Sequence, residues 1–144
     1  MALTETSGRK LHQFPLVRSF MTPAPPSAVQ RRQSLSSADR LMRERHIPQV
    51  PVVEGATVVG LLSQRDVLMA EMLPGVNSMD VKVDEVMTAH VFSTTPDAPL
   101  AEVVTEMQKR GVASVAVVED GRCVGFFTAN EALTALAELL TEPE

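Results

Sequence analysis

Tryptophan and tyrosine are absent from this chain, phenylalanine occurs five times, and cysteine occurs once, at Cys123. With so few aromatics the core has to be built from Val, Leu, Met and Ala. A lone cysteine excludes an internal disulfide, and Cys123, set in an apolar run, reads as a buried strand residue rather than a reactive thiol. His12, His46 and His90 show no metal-ligand spacing and have no second ligand nearby, so no metal site is expected. No Ser/His/Asp or Cys/His set stands out, which argues against an enzyme. There is no long apolar span, and the opening from Met1 to Phe14 is polar and basic, so the chain reads as soluble and cytoplasmic. A net charge of −5 and a pI near 5.2 argue against nucleic acid or an anionic membrane as partner.

What the chain has is a repeat. At an offset of 65 residues Leu35 answers Leu100, Met42 answers Met107, Arg45 answers Arg110, and Val50, Val52, Val53 and Glu54 answer Val115, Val117, Val118 and Glu119. Gly60 falls on Gly125, Ser63 on Thr128, Asp66 on Glu131 and Leu68 on Leu133. Met21-Thr22 matches Met87-Thr88 one residue out of step, so a slip lies in the loop before Leu35. Two copies of this length are too few for an open array, which predicts a packed pair with a ligand groove between its halves. Each unit, at roughly 60 residues, is marginal alone, so the two are expected to share a core. Charge divides unevenly: residues 1–72 carry nine Lys or Arg and six Asp or Glu, a net of +3, whereas residues 73–144 carry four and twelve, a net of −8. Ordinary surface variation accounts for that, as does a first unit that helps to hold an anion.

Residues 1–16 read as a flexible leader, with Leu11, Phe14 and Leu16 able to dock on a neighbouring surface. The first unit spans 17–73, a linker 74–82, the second unit 83–140 and an acidic tail 141–144. Pro23, Pro25 and Pro26 force an extended loop. Leu35, Ala38, Leu41 and Met42 share one helical face, as do Leu100, Val103, Val104 and Met107, with Pro99 in the first turn of the second helix and Gly111 as its C-terminal cap. Strands over Val50–Val53 and Val58–Leu62 flank Glu54-Gly55-Ala56, and strands over Val115–Val118 and Cys123–Phe127 flank the turn Asp120-Gly121. A second helix closes each unit, from about Gln64 to Leu73 and from about Asn130 to Leu140. Each unit is therefore loop, helix, strand, strand, helix, in a mixed α/β (α+β) fold with a pseudo-twofold axis between units and with Val52, Val53, Val117 and Val118 buried.

Met-Thr, the segment Ile47-Pro48-Gln49-Val50-Pro51-Val52-Val53, and Val59-Gly60-Leu61-Leu62-Ser63-Gln64-Arg65-Asp66 resemble a CBS domain. Val112 to Val118 and Val124-Gly125-Phe126-Phe127-Thr128-Ala129-Asn130-Glu131 repeat the pattern, so the chain looks like a stand-alone CBS pair, or Bateman module. The resemblance implies a regulatory module without catalysis. It implies a cleft that takes an adenosine-containing ligand (AMP, ADP, ATP or S-adenosylmethionine), no required cofactor, pairing into a flat homodimer, and an unidentified regulated protein as partner. Leu133, Leu136, Leu139 and Leu140 are apolar residues to spare for that pairing.

Ser63-Gln-Arg-Asp66 stands where a strand gives way to a helix, and helix N-termini suit phosphate. Asp66 has two acceptor oxygens for the hydroxyls of a ribose, the role that the resemblance assigns it, and Arg65, Arg45 or Arg31 is a candidate for the phosphate, each equally readable as a solvated surface charge. The base would lie against Ala24 and Pro25 and against Ile47 and Gln49. In the second repeat the equivalents are Thr128 and Glu131, with Val91, Phe92, Ala113 and Val115 around the base. Ser-x-x-Asp and Thr-x-x-Glu are equally capping boxes, which satisfy the helix's own donors, and then the chain would be a ligand-free dimerisation or interaction module. Glu131 carries an extra methylene and is the better capping residue, so the first site is expected to be the stronger.

Overall fold

The computed structural model describes residues 15–89 and 91–141. The expectations for residues 1–14, including docking by Leu11 and Phe14, and those for His12, His90 and residues 142–144 lie outside the described residues.

Four α-helices and two sheets are found among the described residues. In the first repeat α1 runs Leu35–Glu44, β3 Gln49–Glu54, β4 Thr57–Ser63 and α2 Gln64–Glu71. In the second, α3 runs Leu100–Arg110, β6 Ser114–Glu119, β7 Arg122–Thr128 and α4 Ala129–Thr141. Helix α1 starts at Ser34, whose hydroxyl oxygen accepts the Ser37 N–H at 3.1 Å, and it buries Leu35, Ala38 and Met42 at helical spacing. Asp39 falls on the same buried face and is neutralised by Arg43 one turn on. Helix α3 ends at Gly111, which takes the left-handed conformation at φ 66°. Pro99 stands at its N-cap, one residue outside the helix, and Val104, expected on the core face, is exposed.

The two hairpins match bond for bond. Val52 pairs with Gly60 and Val53 with Val58, a bulge that recurs with Val117 on Gly125 and Val118 on Cys123. Val52 and Val117 are fully buried, but Val53 and Val118 are only half-buried. Strand alternation explains the correction: Val50 and Val52 face the helices, and so the next residue faces away from them. Short strands also occupy what the sequence presented as loop: β1 (Thr22–Pro23), β2 (Val29–Gln30) and β5 (Phe92–Thr94). Val29 pairs in parallel with Val52, as Thr94 does with Val117. The slip in the repeat therefore falls between Met-Thr and these strands, in residues 23–28 of the first repeat and 89–93 of the second, and the first loop is longer by one residue.

Each repeat sends its leading arm into the other. Val17, Phe20 and Met21 pack with Leu100, Val103, Val115 and Phe127, while Val83, Val86 and Met87 pack with Val29, Leu35, Met42 and Leu62. Val17 and Val83 are fully buried, which is worth roughly 1.5–3 kcal/mol each. The backbone obeys the same rule on both sides. Val17 N–H donates to Ala98 at 3.0 Å and Val83 N–H to Gln33 at 2.9 Å; Leu100 N–H donates to Pro15 at 3.1 Å and Leu35 N–H to Val81 at 2.8 Å. Strand β1 then adds to β7, Thr22 against Phe126, giving a sheet ordered β1-β7-β6-β5. Thr88 makes the equivalent bridge to Leu61 at the edge of the sheet β2-β3-β4. Contrary to the expectation of one shared core, each repeat keeps its own, and the exchanged arm of the other repeat completes it, which produces the pseudo-twofold pair.

Candidate functional site

The arm exchange forces close approach at one glycine per repeat. A Cβ on Gly60 would stand 2.6 Å from Met87 Sδ and 2.8 Å from the Thr88 carbonyl oxygen; one on Gly125 would stand 2.7 Å from Met21 Sδ and 3.0 Å from the Thr22 carbonyl oxygen. These glycines let the arms lie flat on the hairpins. The first arm is thereby carried past Thr22 onto the second repeat, where the Ala24 N–H donates to Val124 at 3.0 Å.

Two concavities flank this crossing and meet at Pro25. A cavity of about 200 Å³ is walled by Thr22, Pro23 and Pro25 of the arm, His46 to Gln49 of the first repeat, and Phe126 of the second. A wider open cleft of about 660 Å³ lies between the proline loop (Ala24 to Ala28), the β3–β4 turn with Val53, and Gly121 to Val124. Of the residues singled out from sequence, Pro25, Ile47 and Gln49 come together in the smaller cavity, and Ala24 joins Pro25 in the wider one. Ile47 is mostly buried in the core of its own repeat, and its carbonyl accepts the Gln64 side-chain amide at 3.0 Å. Thr22, Pro23 and Phe126 were not anticipated; the arm exchange puts them there, and the matched glycines were its one trace in the sequence.

Ser63, Arg65 and Asp66 do not line the cavity that holds Ile47 and Gln49. Ser63 Oγ accepts the Asp66 N–H and Asp66 Oδ2 accepts the Ser63 N–H, both at 3.0 Å, so a complete capping box closes α2. Arg65 is exposed. In the second repeat the Thr128 N–H donates to Glu131 Oε1 at 2.8 Å and the Thr128 hydroxyl bonds the same oxygen, while the Asn130 N–H reaches Thr128 Oγ1 at 3.2 Å. Glu131 Oε2 accepts the Thr22 hydroxyl at 2.8 Å, so the carboxylate joined to the wall of the first repeat's cavity belongs to the second repeat. The base-side set of the second repeat is more dispersed. Val115 is fully buried, so its side chain is core; Phe92 is half-buried under the Arg110 guanidinium, 4.6 Å from its ring centre; Val91 is half-buried; and Ala113 is exposed, its carbonyl accepting the Ala129 N–H at 2.9 Å.

Burial pushes the Cys123 thiol up from its ordinary range, and Sγ donates to the Gly125 carbonyl at 3.4 Å, so the group is a thiol and not a thiolate at neutral pH. Among the described residues no group of three or more His, Cys, Asp or Glu could hold a metal, and no helix is long and apolar enough to cross a membrane.

A family model for the CBS domain matches the chain twice, over residues 17–72 and 83–138. Among solved structures the chain is similar to a putative acetoin utilization protein (AcuB) from Vibrio cholerae, 32% identical with a TM-score of 0.61, over 91% of this chain and 98% of that one. It is also similar to the CBS domain pair of protein MJ0100, solved in complex with 5-methylthioadenosine and S-adenosyl-L-methionine, 25% identical with a TM-score of 0.60, over 85% of this chain and 99% of that one. Inosine-5'-monophosphate dehydrogenase of Korarchaeum cryptofilum is 29% identical over 117 residues, which are 81% of this chain and 22% of the enzyme. The chain thus spans about a fifth of that curated relative.

Proposed function

The chain belongs to the CBS domain family, and from that premise we propose that it is a regulatory module that takes an adenosine-containing ligand in the cleft between its repeats. The observation that carries the reading is the cavity at the seam, where the backbone from Ile47 to Gln49 and the arm from Thr22 to Pro25 converge from different ends of the repeat. Such a place offers backbone donors and acceptors for a base edge and apolar faces above and below it. That the similar MJ0100 pair is solved with 5-methylthioadenosine and S-adenosyl-L-methionine supports the ligand class. Because each arm is packed into the opposite repeat, a ligand that pulls on the seam shifts both repeats together, and a cytoplasmic partner protein reads the shift. Thermal unfolding with AMP, ADP, ATP and S-adenosylmethionine tests this. A ligand at 100 times its Kd should add about 2.7 kcal/mol of stability, whereas no shift with any of the four defeats the reading.

The capping box gives weight to a second reading. Ser63 and Asp66 already satisfy each other at 3.0 Å, which needs no ligand. On that reading the chain is an interaction module, and its function is to dimerise. Both readings include a homodimer, because α2 and α4 leave Leu68, Met69, Met72, Leu133, Leu136 and Leu140 more than half exposed. An apolar groove of about 440 Å³ runs between α3 and α4 on this side. Sedimentation at tens of micromolar should give twice 15.6 kDa, and a monomer would remove the dimer from both readings.

A further inference from the structure

Glu131 has two tasks, and only one belongs to its own helix. Oε1 accepts the Thr128 N–H at 2.8 Å and caps α4, while Oε2 accepts the Thr22 hydroxyl at 2.8 Å, from the arm of the other repeat. The first repeat's carboxylate supplies the control. Thr88 is tied to Leu61 by backbone bonds of 2.8 and 3.0 Å, in the same register that sets Thr22 on Phe126, so the two threonines are equivalently placed. Asp66 nevertheless makes only its cap, and among the described residues no hydrogen bond joins it to Thr88. One methylene separates the two acids, and what it provides is reach across the seam.

We propose that Glu131 and Thr22 form a latch between the repeats that holds the Glu131 carboxylate away from the sugar of an adenosine ligand seated in the first repeat's cavity, and so sets how tightly that cavity binds. The proposal rests on the adenosine-ligand reading and adds what restrains binding there. Both oxygens of Glu131 are engaged, one capping the helix and the other accepting from Thr22, so a sugar hydroxyl that donates there has to displace the Thr22 hydroxyl. Asp66 Oδ2 accepts the cap, and among the described residues Oδ1 has no partner. The cavity of about 200 Å³ is smaller than the roughly 300–1,000 Å³ of sites that hold a whole small molecule. A ligand seated there has to extend past Thr22, where the latch stands. Glu131 thereby sets specificity by occupying the contact a sugar would use.

Calorimetric titration of AMP and S-adenosylmethionine into wild type, Thr22→Val and Glu131→Asp tests the latch. Val keeps the shape of Thr without its hydroxyl, and Asp keeps the cap, as Asp66 does, but loses the reach. Each variant should bind about tenfold more tightly than wild type, the equivalent of one hydrogen-bond competitor removed. A ligand-free cycle runs beside it: the two substitutions should lower the thermal midpoint non-additively, the double variant falling no further than the worse single one. Unchanged affinity in both variants, or additive midpoint shifts, would each overturn the latch and leave the sensor reading standing. Absence of binding to all three proteins would defeat the proposed function, and the specificity role of Glu131 with it, whatever the cycle shows.

Discussion

In the first repeat the incoming arm presents Asp84 to Arg31, at 3.3 Å; in the second the incoming arm presents Arg18 to Asp97. The backbone beneath is the same in both, Asp84 N–H donating to Arg31 at 2.9 Å and Arg18 N–H to Pro96 at 3.0 Å. So the two halves agree in these main-chain contacts of the seam and disagree in the side chains laid over them: opposite polarity at the arms, Asp against Glu at the helix starts. Main-chain agreement comes from the repeated Val-x-x-x-Met-Thr, hairpin and glycine. The differences make the two sides of the seam chemically distinct. A symmetric pair would carry the same side chains at both arms and both helix starts; this pair does not.

The largest effect expected from that asymmetry is on binding. If Asp66 takes the ribose of a ligand, Asp66→Ala should cost roughly 2–4 kcal/mol of binding, or about 30- to 1,000-fold in affinity. Glu131→Ala should not weaken binding, because its carboxylate is already engaged. Asp66→Asn separates ligand from cap, since the amide oxygen can still accept the Ser63 N–H. Binding lost with stability intact assigns the carboxylate to the ligand. If Asp66→Ala costs about 1 kcal/mol of stability and wild type titrates with no adenosine ligand, Asp66 is only a cap.

Next in size is the seam itself. Gly60→Ala and Gly125→Ala drive a methyl into the opposing arm, and overpacking of this kind costs about 1–3 kcal/mol. The contact to a backbone oxygen is tighter at Gly60, 2.8 Å against 3.0 Å, and backbone gives way less easily than a Met side chain. Chemical denaturation should therefore find Gly60→Ala the more damaging of the two. Equal loss, or none, would show that the arms shift to make room, and that the two sides of the seam are equally soft.

Much of the fold was legible because the physics that sets it is local. Helical spacing located α1 and α3, Asp120-Gly121 located a turn that takes φ of 53° and 77°, and the bulged hairpins repeat with the sequence. The arms were not legible, because Val17-x-x-x-Met21 says that something apolar is covered and not which repeat covers it. That one gap regroups the candidate site. Ser63 and Asp66 share a repeat with Ile47 and Gln49, which is why sequence alone sets them together, whereas the structure hands the first repeat's cavity wall to Glu131 through Thr22. Only the glycine pair carried the information, and a lone strand glycine points to close approach without naming the neighbour.

The smallest expected effect concerns how each arm finds its seat. Were the first repeat's arm to fold back on its own body, Arg18 would meet Arg31; were the second's to do so, Asp84 would meet Asp97. Opposite polarity thus penalises the unexchanged pairing in both places at once, a means of separating two arms whose apolar residues are alike. Arg18→Asp should lower the thermal midpoint slightly by setting like charges together, and adding Asp97→Arg should restore it. The shifts are small because Arg18 and Asp97 are 48% and 70% exposed, and added salt should shrink them further. The double variant is nevertheless not wild type, since both arms are then acidic and both seats basic. Methyl spectra of Met21 and Met87 should show a second set of signals in it after refolding, from arms in the wrong seats. A single set of signals would mean that the main chain alone dictates the exchange and that the reversed charges are ordinary surface.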